Sequence, residues 1–349
     1  MDETPTTVVT TPDIKAVVSS ILDGIERERE REIISRRFGL YDRKETLEQI
    51  GELLGITRER VRQLEKAILS RLRSAAKEGK LELESIERHI VEQLHDLGRT
   101  ARLSHITEKL VPGGDDRDKS HVAFVAELAP KLSVLSENDN YHHGVAIAEH
   151  HDEKQLRSRV DHIVKTIKEH GEAIPAKELH EKLDYEHPDH VRAIASLSKN
   201  LATLKDVWGL TKWPTVNPKN IRDKIYVILQ ENTKPMHFSE IASSIKDSEF
   251  KRKDVTTQAI HNELIKDKRF VLIGRGIYAL NEWGYKKGTV ADIITEVLKK
   301  AGEPLHRDEI VKRVLKDRHV KETTILLNLQ SKSAFKRVAK ATYTLAEPA

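Results

Sequence analysis

The sequence contains no cysteine, and only 5% of its 349 residues are aromatic. The absence of cysteine excludes a disulfide framework, a Cys-type zinc site and a thiol nucleophile. The sequence also lacks an apolar run of about 18 residues, so we expect no transmembrane helix. Because the Thr-rich, acidic start does not have the pattern of a secretory signal, we expect a cytoplasmic protein.

Charged residues, in contrast, make up 33% of the sequence, a balance typical of a helix-rich protein. They are distributed unevenly, with a net charge of +1 in residues 1–80, −7 in 81–155, +1 in 156–218, +5 in 219–288 and +4 in 289–349. Basic surfaces attract phosphate and acidic surfaces repel it. The last two segments could therefore lie along DNA, whereas residues 81–155 should avoid it and instead face another protein.

The motifs of common enzymes and metal sites are missing. There is no glycine loop followed by Lys-Ser/Thr and no serine nucleophile elbow. The pairs His142-His143 and His150-His151 are interpreted as polar loop residues rather than metal ligands. Residues 113–118 resemble a calcium loop in composition only, because the terminal bidentate Glu is absent. We expect no enzyme activity, metal or cofactor, and no small-molecule substrate is evident.

Apolar residues at helical spacing predict four helices in residues 14–80, behind a disordered tail at residues 1–13. Asp42 and Glu45 are expected to form a capping box before the third helix. Gly55 permits a tight turn between the third and fourth helices. Two helices joined by a short turn that contains Gly form a helix-turn-helix.

The outward face of the fourth helix carries side chains suited to reading DNA. Arg58 and Arg62 stand four residues apart, as do Glu59 and Gln63. A helix whose N-terminus enters the major groove can use Arg to bind guanine, Gln to bind adenine and Glu to accept from cytosine. The alternative is a solvated charged face, which is common on helices.

Residues 29–40 (REREIISRRFGL) and 45–73 (ETLEQIGELLGITRERVRQLEKAILSRLR) resemble region 4 of the sigma-70 type bacterial sigma factors. The resemblance covers about residues 26–76. It implies a domain that reads the promoter −35 element and docks on the flap of the RNA polymerase β subunit. By position, it implies groove-facing or backbone-contacting roles for six residues: Thr46, Thr57, Arg58, Glu59, Arg62 and Gln63.

This sequence departs from the sigma pattern upstream of the resemblance. Only 25 residues precede it, and no Phe, Tyr or Trp occurs before Phe38. The sigma domain that melts the −10 element needs a helix with exposed aromatic side chains. We therefore expect promoter recognition without the capacity to melt a promoter.

The remaining sequence repeats one unit four times, at a spacing of roughly 60–70 residues. We place the copies at residues 81–155, 156–218, 219–288 and 289–349. Each copy begins with an apolar helix, continues with a turn and a second helix, and ends in a short β-prone segment that contains an aromatic residue. These aromatic residues are Tyr141, Trp208, Tyr278 and Tyr343.

The third copy shows the pattern most clearly. Two strand-like runs, at residues 270–273 and 277–280, flank Gly274-Arg275-Gly276 and predict a hairpin. Helices followed by a hairpin describe a winged helix. Residues 235–242 (PMHFSEIA) and 274–280 (GRGIYAL) resemble the HARE-HTH winged helix. That family includes the N-terminal domain of the RNA polymerase delta subunit and modules attached to chromatin regulators and restriction enzymes.

The HARE-HTH resemblance implies a module that recruits a protein or contacts nucleic acid, and both readings stay open. Arg275, at the wing tip, and the run Lys251, Arg252 and Lys253, before the third helix of this copy, are candidate phosphate contacts. The alternative is a solvated basic loop.

Together these patterns predict a mainly α fold, a multi-domain array of helix-turn-helix and winged-helix units with small β-hairpin wings. The expected function is that of a bacterial DNA-binding transcription regulator that recognises −35-like promoter DNA and associates with RNA polymerase. The expected partners are double-stranded DNA and the polymerase core. Two alternatives remain: a flap-binding protein that blocks a sigma factor, and a DNA-targeting subunit for a separate enzyme such as a restriction nuclease.

Overall fold

The computed structural model describes residues 13–346, apart from residues 251, 253, 286, 287 and 319. The tail predicted at residues 1–13 thus lies outside the described residues, except for Asp13. The chain divides into two compact units, the first ending at Thr211 and the second beginning at Lys212. None of the described helices combines the length and the apolar composition of a membrane span.

The first unit begins with the predicted helix-turn-helix. Its four helices each bury one apolar face, and they are α1 (Ile14–Asp23), α2 (Glu28–Phe38), α3 (Leu47–Leu54) and α4 (Arg58–Lys77). Gly39 and Gly55 follow α2 and α3 in the left-handed conformation, with φ of +69° and +65°. Glycine adopts this conformation without steric cost, so these two residues end their helices and allow the chain to turn.

The cap of α3 differs from the predicted one. Its N-cap is Thr46, whose hydroxyl accepts from the Gln49 N–H at 3.3 Å, while Gln49 Oε1 accepts from the Thr46 N–H at 2.9 Å. Glu45 instead accepts a hydrogen bond from Arg36 Nη1 at 2.8 Å. The predicted box between Asp42 and Glu45 was wrong, because the Thr–Gln pair satisfies the same free amides at the actual start of the helix.

After α4, one order of elements (helix, strand, two helices, two strands) occurs four times in the described chain. The first winged helix comprises α5 (Glu84–Asp96), β1 (Thr100–Arg102), α6 (Leu103–Leu110), α7 (Asp116–Leu128), β2 (Leu132–Leu135) and β3 (Gly144–Ile147). The second comprises α8 (Glu153–His170), β4 (Ile174–Pro175), α9 (Ala176–Lys182), α10 (Pro188–Ser196), β5 (Leu201–Leu204) and β6 (Val207–Leu210).

The second unit contains the other two copies. The third winged helix comprises α11 (Ile221–Asn232), β7 (Met236–His237), α12 (Phe238–Asp247), α13 (Thr257–Lys266), β8 (Phe270–Gly274) and β9 (Ile277–Leu280), followed by a 3-10 turn at Asn281–Trp283. The fourth comprises α14 (Val290–Ala301), β10 (Leu305–His306), α15 (Arg307–Asp317), α16 (Glu322–Ser331), β11 (Phe335–Ala339) and β12 (Thr342–Leu345).

Each copy contains a three-stranded antiparallel sheet in which the last strand is central. The strand orders are β1-β3-β2, β4-β6-β5, β7-β9-β8 and β10-β12-β11. The last two strands of each copy form the wing, and the short strand after the first helix pairs with the other side of the central strand. The prediction of a mainly α array with hairpin wings is confirmed.

One aromatic residue was assigned to the wrong place. Tyr141 lies before β3, where its backbone bridges to Ser198 and its hydroxyl donates to Asp161 Oδ1 at 2.7 Å. Val145, opposite Ala101, takes the central-strand position in the first copy. The matching positions in the other copies are the predicted aromatics, Trp208, Tyr278 and Tyr343. Backbone pairing sets this position, and a branched aliphatic side chain fills it as well as a ring does.

The helix-turn-helix and the first winged helix share one hydrophobic core. α7 packs against α1, α2 and α4, and Phe124 of α7 is fully buried there. Its ring meets the ring of Phe38 edge-on, with centroids 5.0 Å apart. At the end of α7, Glu127 forms an ion pair with Arg73 of α4. The first winged helix therefore completes the core of the helix-turn-helix.

The second winged helix docks on the first in a similar manner. Its third helix, α10, packs against β1, and Arg102 at the end of β1 donates through Nε to the Ser196 carbonyl oxygen. Gly98, with φ of +90°, lies so close to α10 that a Cβ would sit 2.4 Å from the Asp189 carbonyl oxygen. No larger residue fits at this position without moving the backbone, so the docking depends on glycine.

In the second unit, the fourth winged helix has its own core, built from α14, α15, α16 and the hairpin. It is also anchored to the third. Arg318, the residue that follows α15, donates through Nη1 to the Leu272 carbonyl oxygen of β8 at 2.7 Å. The third and fourth copies therefore contact each other beside the wing of the third.

Candidate nucleic-acid interface

The N-terminal half of α4 presents the predicted base-reading residues to solvent. Thr57 caps the helix by accepting from the Arg60 N–H at 3.2 Å. Arg58, Glu59, Arg62 and Gln63 follow in the first two turns, and all four side chains are exposed. The opposite face is buried through Val61, Ile68 and Leu72. The helical repeat therefore brings these four polar residues together on one outward surface.

Glu59 orients two of the other polar side chains of this surface, Arg62 and Gln63. It accepts two hydrogen bonds from Arg62, from Nε at 2.8 Å and from Nη2 at 2.6 Å, and one from Gln63 Nε2 at 3.3 Å. The Arg62 guanidinium lowers the pKa of the Glu59 carboxyl to about 2. Arg58 takes no part in this network, and within the described residues its side chain forms no hydrogen bond or ion pair. Its guanidinium is thus available to an anion.

The two predicted backbone-contacting threonines both occupy N-cap positions. Thr46 precedes α3 and Thr57 precedes α4, and both residues are exposed. Each hydroxyl oxygen already accepts a backbone N–H, but its O–H hydrogen can still be donated. Helix N-termini favour anions, because free N–H groups and the helix dipole point toward them. Both threonines are therefore placed where a phosphate would be favoured.

Ion pairs that the sequence did not reveal hold α4 in place. Glu30 of α2 is 7% exposed and accepts from Arg71 Nη2 of α4 at 2.5 Å and from Arg27 Nη1 at 3.1 Å. These hydrogen bonds, Arg71 first, lower the Glu30 pKa. Arg37 of α2 bonds to Glu65 of α4 at 3.1 Å. α2 therefore braces the middle and the C-terminal half of α4, and the exposed face of its first two turns takes no part in these ion pairs.

The structure describes two of the four candidate phosphate contacts in the third winged helix. Arg252 is exposed in the turn before α13, and its carbonyl oxygen accepts from Lys224 Nζ at 2.7 Å. Arg275 is exposed at the turn between β8 and β9. Lys251 and Lys253 lie outside the described residues.

A second basic wing was missed in the sequence. In the fourth winged helix, Lys336, Arg337 and Lys340 are all exposed on β11 and the following turn. The Arg337 Nε–H donates back to the Ala339 carbonyl oxygen at 3.2 Å, which holds that side chain along the wing. The net charge of +4 in residues 289–349 was the available signal, but it did not show that three of the cations share a hairpin.

The histidine pairs lie in the first winged helix and in the loop that leads to α8. His151 is 5% exposed, and burial lowers its pKa to about 4. Burial has the same effect on His143. Both residues lie in loops, as expected, but His151 is buried and His143 is half-buried rather than solvated. Among the residues described, no group of three or more His, Asp or Glu side chains is arranged to hold a metal ion.

Comparison with known proteins places the helix-turn-helix in a family. Residues 27–74 match the family model for Sigma-70, region 4. This segment, which runs from the residue before α2 almost to the end of α4, is therefore a sigma-70 region 4 domain. The match does not extend to the four winged helices.

Curated relatives match a stretch of 64 to 72 residues of the chain. The RNA polymerase sigma factor RpoD of Helicobacter pylori (strain ATCC 700392 / 26695) is 50% identical over 64 residues, which are 18% of this chain and 9% of the relative. The sigma factor SigA of a Bacillus species is 41% identical over 69 residues, 20% of this chain and 18% of the relative. SigA of Nostoc sp. PCC 7120 is 40% identical over 72 residues, again 20% and 18%. The chain thus spans less than a fifth of these relatives.

Proposed function

We propose that this protein is a bacterial transcription regulator that reads −35-like promoter DNA through the N-terminal half of α4 and associates with RNA polymerase. The observation that carries the proposal is the exposed surface formed by Arg58, Glu59, Arg62 and Gln63 on a sigma-70 region 4 domain. The proposed activity is recognition of DNA and not its melting.

The chemistry of this surface suits the major groove. A helix enters the groove with its N-terminus first, where Arg58 is free to grip the O6 and N7 acceptors of a guanine. Glu59 can accept from a cytosine amino group while it still orients Arg62. The capped ends at Thr46 and Thr57 favour the flanking phosphates.

The winged helices give the protein further surfaces for DNA. The basic residues at the third and fourth wings, Arg275 in one and Lys336, Arg337 and Lys340 in the other, suit phosphate contacts that extend the footprint. The likeness of residues 219–285 to the HARE-HTH module, and through it to the polymerase delta subunit, supports a second role in holding the polymerase.

Packing within the first unit limits how a protein can engage the sigma-like domain. The apolar surface of α1, α2 and α4 is covered by α7, with Phe124 fully buried between them. A partner such as the polymerase flap therefore either binds the polar surface that remains or displaces α7. A flap-binding protein that blocks a sigma factor is the second candidate function.

Footprinting on a −35-containing duplex with the full chain tests the proposal. We expect wild-type protein to protect the −35 element, and Arg58→Ala and Gln63→Ala each to abolish this protection, because each removes a base-edge contact worth about 1–3 kcal/mol. Lys77→Ala is the matched control, since Lys77 is exposed at the far end of the same helix, about 28 Å away. It should leave protection intact.

The other outcomes separate the alternatives. If the wild-type protein protects no DNA yet co-purifies with RNA polymerase, the flap-blocking function replaces the proposal. If binding to DNA needs no polymerase but requires a co-purifying nuclease, the protein is a targeting subunit for that enzyme. Equal loss of protection in Lys77→Ala and Arg58→Ala would show that the helix contributes only general positive charge.

A further inference from the structure

A cavity of about 410 Å³ lies in the second unit, where the third and fourth winged helices meet. One wall comes from the end of α13 and from β8, and the other comes from the start of α14 and from Arg318. Its volume is within the range of small-molecule sites, roughly 300–1,000 Å³, and such sites favour boundaries between modules. None of the roles proposed above uses it.

Arg318 supplies a buried positive charge to this cavity. The residue is 9% exposed, and its Nη1 donates to the Leu272 carbonyl oxygen at 2.7 Å. Its Nε is buried and has no hydrogen-bond partner. Within the described residues no carboxylate forms an ion pair with it. Arginine does not give up its proton, and a buried charge is costly unless it is paired. The site therefore favours an anionic guest.

The two carboxylates that line the cavity already have partners. Asp292 caps α14 by accepting from the Thr289 N–H at 2.7 Å and from the Thr289 hydroxyl at 2.8 Å. Asp267 is ion-paired with Arg269 at 2.8 Å. Asp292 also attracts Arg318 electrostatically, but the two form no ion pair within the described residues. With Lys266, Lys268 and Arg318 against these two carboxylates, the lining still carries more positive than negative charge.

Much of the remaining lining is apolar. The rings of Phe270 and Tyr278 are buried in it, at 4% and 2% exposure. Ile265 and Leu272 stand at the rim with 64% and 45% of their surface exposed, so they offer apolar area that nothing in the described chain covers. Inorganic phosphate would pair with the arginine but would leave the apolar surface exposed to water. An anion with an apolar body would both pair with the arginine and bury that surface.

We propose that this cavity is a binding site for a small amphipathic carboxylate. The carboxylate would pair with the Arg318 guanidinium, and the apolar body would lie along Phe270, Leu272 and Ile265. Because the walls belong to two winged helices, the bound molecule would tie the third copy to the fourth. The proposal concerns the second unit alone and does not depend on DNA binding by α4.

Isothermal titration of the full chain with sodium octanoate tests this assignment. Octanoate should bind saturably, while octanamide, which lacks the charge, and acetate, which lacks the tail, should each bind at least about tenfold more weakly. Arg318→Gln should weaken octanoate at least about tenfold. Arg313→Gln is the matched control, since Arg313 lies on α15 with its charge paired to Glu309 at 2.6 Å, and it should change nothing.

A second variant keeps the test decisive if Arg318→Gln fails to fold. Ile265 is exposed at the rim, so Ile265→Glu should fold normally and should repel octanoate by placing a carboxylate at the mouth. Unchanged octanoate binding in Ile265→Glu would overturn the location. Equal binding of octanamide, or displacement of octanoate by inorganic phosphate at similar concentration, would overturn the ligand class. Equal losses in Arg313→Gln and Arg318→Gln would show general attraction of anions.

Discussion

At the scale of single residues, Glu59 stands out because it is an acid on a surface that is expected to face phosphates. Its carboxylate repels the DNA backbone, but it also fixes Arg62 and Gln63. A residue that weakens binding to all DNA while it orders base-reading side chains favours the correct sequence over others. We therefore interpret Glu59 as a determinant of specificity.

Glu59→Gln tests this interpretation. The variant should bind non-specific DNA more tightly and should lower the ratio of specific to non-specific affinity about tenfold, because Arg62 loses its partner. Binding to −35-containing and scrambled duplexes, compared by fluorescence anisotropy, provides the measurement. Glu78→Gln, an exposed acid just beyond the other end of α4, serves as the control and should keep the wild-type ratio.

The Glu59 carboxyl also predicts how the ratio of specific to non-specific affinity depends on pH. Its pKa is lowered to about 2 by Arg62. Interactions of a group with a depressed pKa are present at higher pH and are lost only as the pH falls through that value. Glu59 should therefore keep its charge from pH 8 down to pH 5, and its contribution to the specificity ratio should stay constant. A ratio that falls at pH 5 in the wild type but not in Glu59→Gln would contradict this assignment.

At the scale of elements, the support of α4 comes from α2, α3 and α7. α2 braces it through the Glu30–Arg71 and Arg37–Glu65 ion pairs, α3 packs on its start at Val61, and α7 covers the rest of its apolar side. The ion pairs are partly exposed and contribute modestly, whereas the apolar contact buries Phe124 completely. The buried ring of Phe124 should therefore contribute more to the stability of α4 than these two ion pairs do.

Phe124→Ala measures that contribution. Truncation of a fully buried Phe typically costs about 3–5 kcal/mol. We expect the free energy of opening of amides in α2 and α4, measured by native-state hydrogen exchange on the full chain, to fall by this amount. Phe335→Ala, a similar truncation in the core of the fourth winged helix, should leave these amides unaffected. Unchanged exchange of α4 in Phe124→Ala would show that the helix-turn-helix is stable without α7.

Local features were largely predictable at this scale, and long-range partners were not. Gly39 and Gly55 marked the ends of α2 and α3, and the four-residue spacing placed Arg58 and Arg62 on one face. The packing of α7 against α4 could not be predicted from the sequence, because the apolar pattern of a helix does not show which other helix packs against it. The misplacement of Tyr141 has the same cause, since strand pairing depends on a partner distant in sequence.

The cavity at Arg318 shows the same limit for sites. In the sequence, Arg318 is one of 60 basic residues, and only the fold distinguishes it by burying it beside Leu272. The exposed surface on α4, in contrast, was predictable because it lies within a single helix. Features confined to one helix can be predicted from the spacing of its residues, whereas features shared between elements cannot.

At the scale of the whole molecule, phosphate contacts made by several units would each release counterions from the DNA, and their effects on the salt dependence of binding would add. Each phosphate that is neutralised contributes about 0.9 to the slope of log K against log salt concentration. Replacement of Lys336, Arg337 and Lys340 by Ala should therefore lower the slope by about 2–3 if the fourth wing lies on DNA. The measurement is a salt titration of the full chain on a long duplex.

The control for this titration removes charge elsewhere in the same winged helix. Lys300 and Arg313 are ion-paired with acids on their own helices, so their replacement by Ala should leave the slope nearly unchanged. If the variant with all three wing residues replaced keeps the wild-type slope, the fourth wing does not contact DNA, and its cations have no assigned partner.

The shared core of the helix-turn-helix and the first winged helix also has a consequence for synthesis of the chain. Phe124 follows Lys77, the last residue of α4, by 47 residues. At bacterial-type rates of about 5–20 residues per second, the ribosome needs roughly 2–10 s to add this stretch. During that interval the part of α4 that faces α7 is uncovered, so the nascent domain completes its core only after α7 has left the exit tunnel.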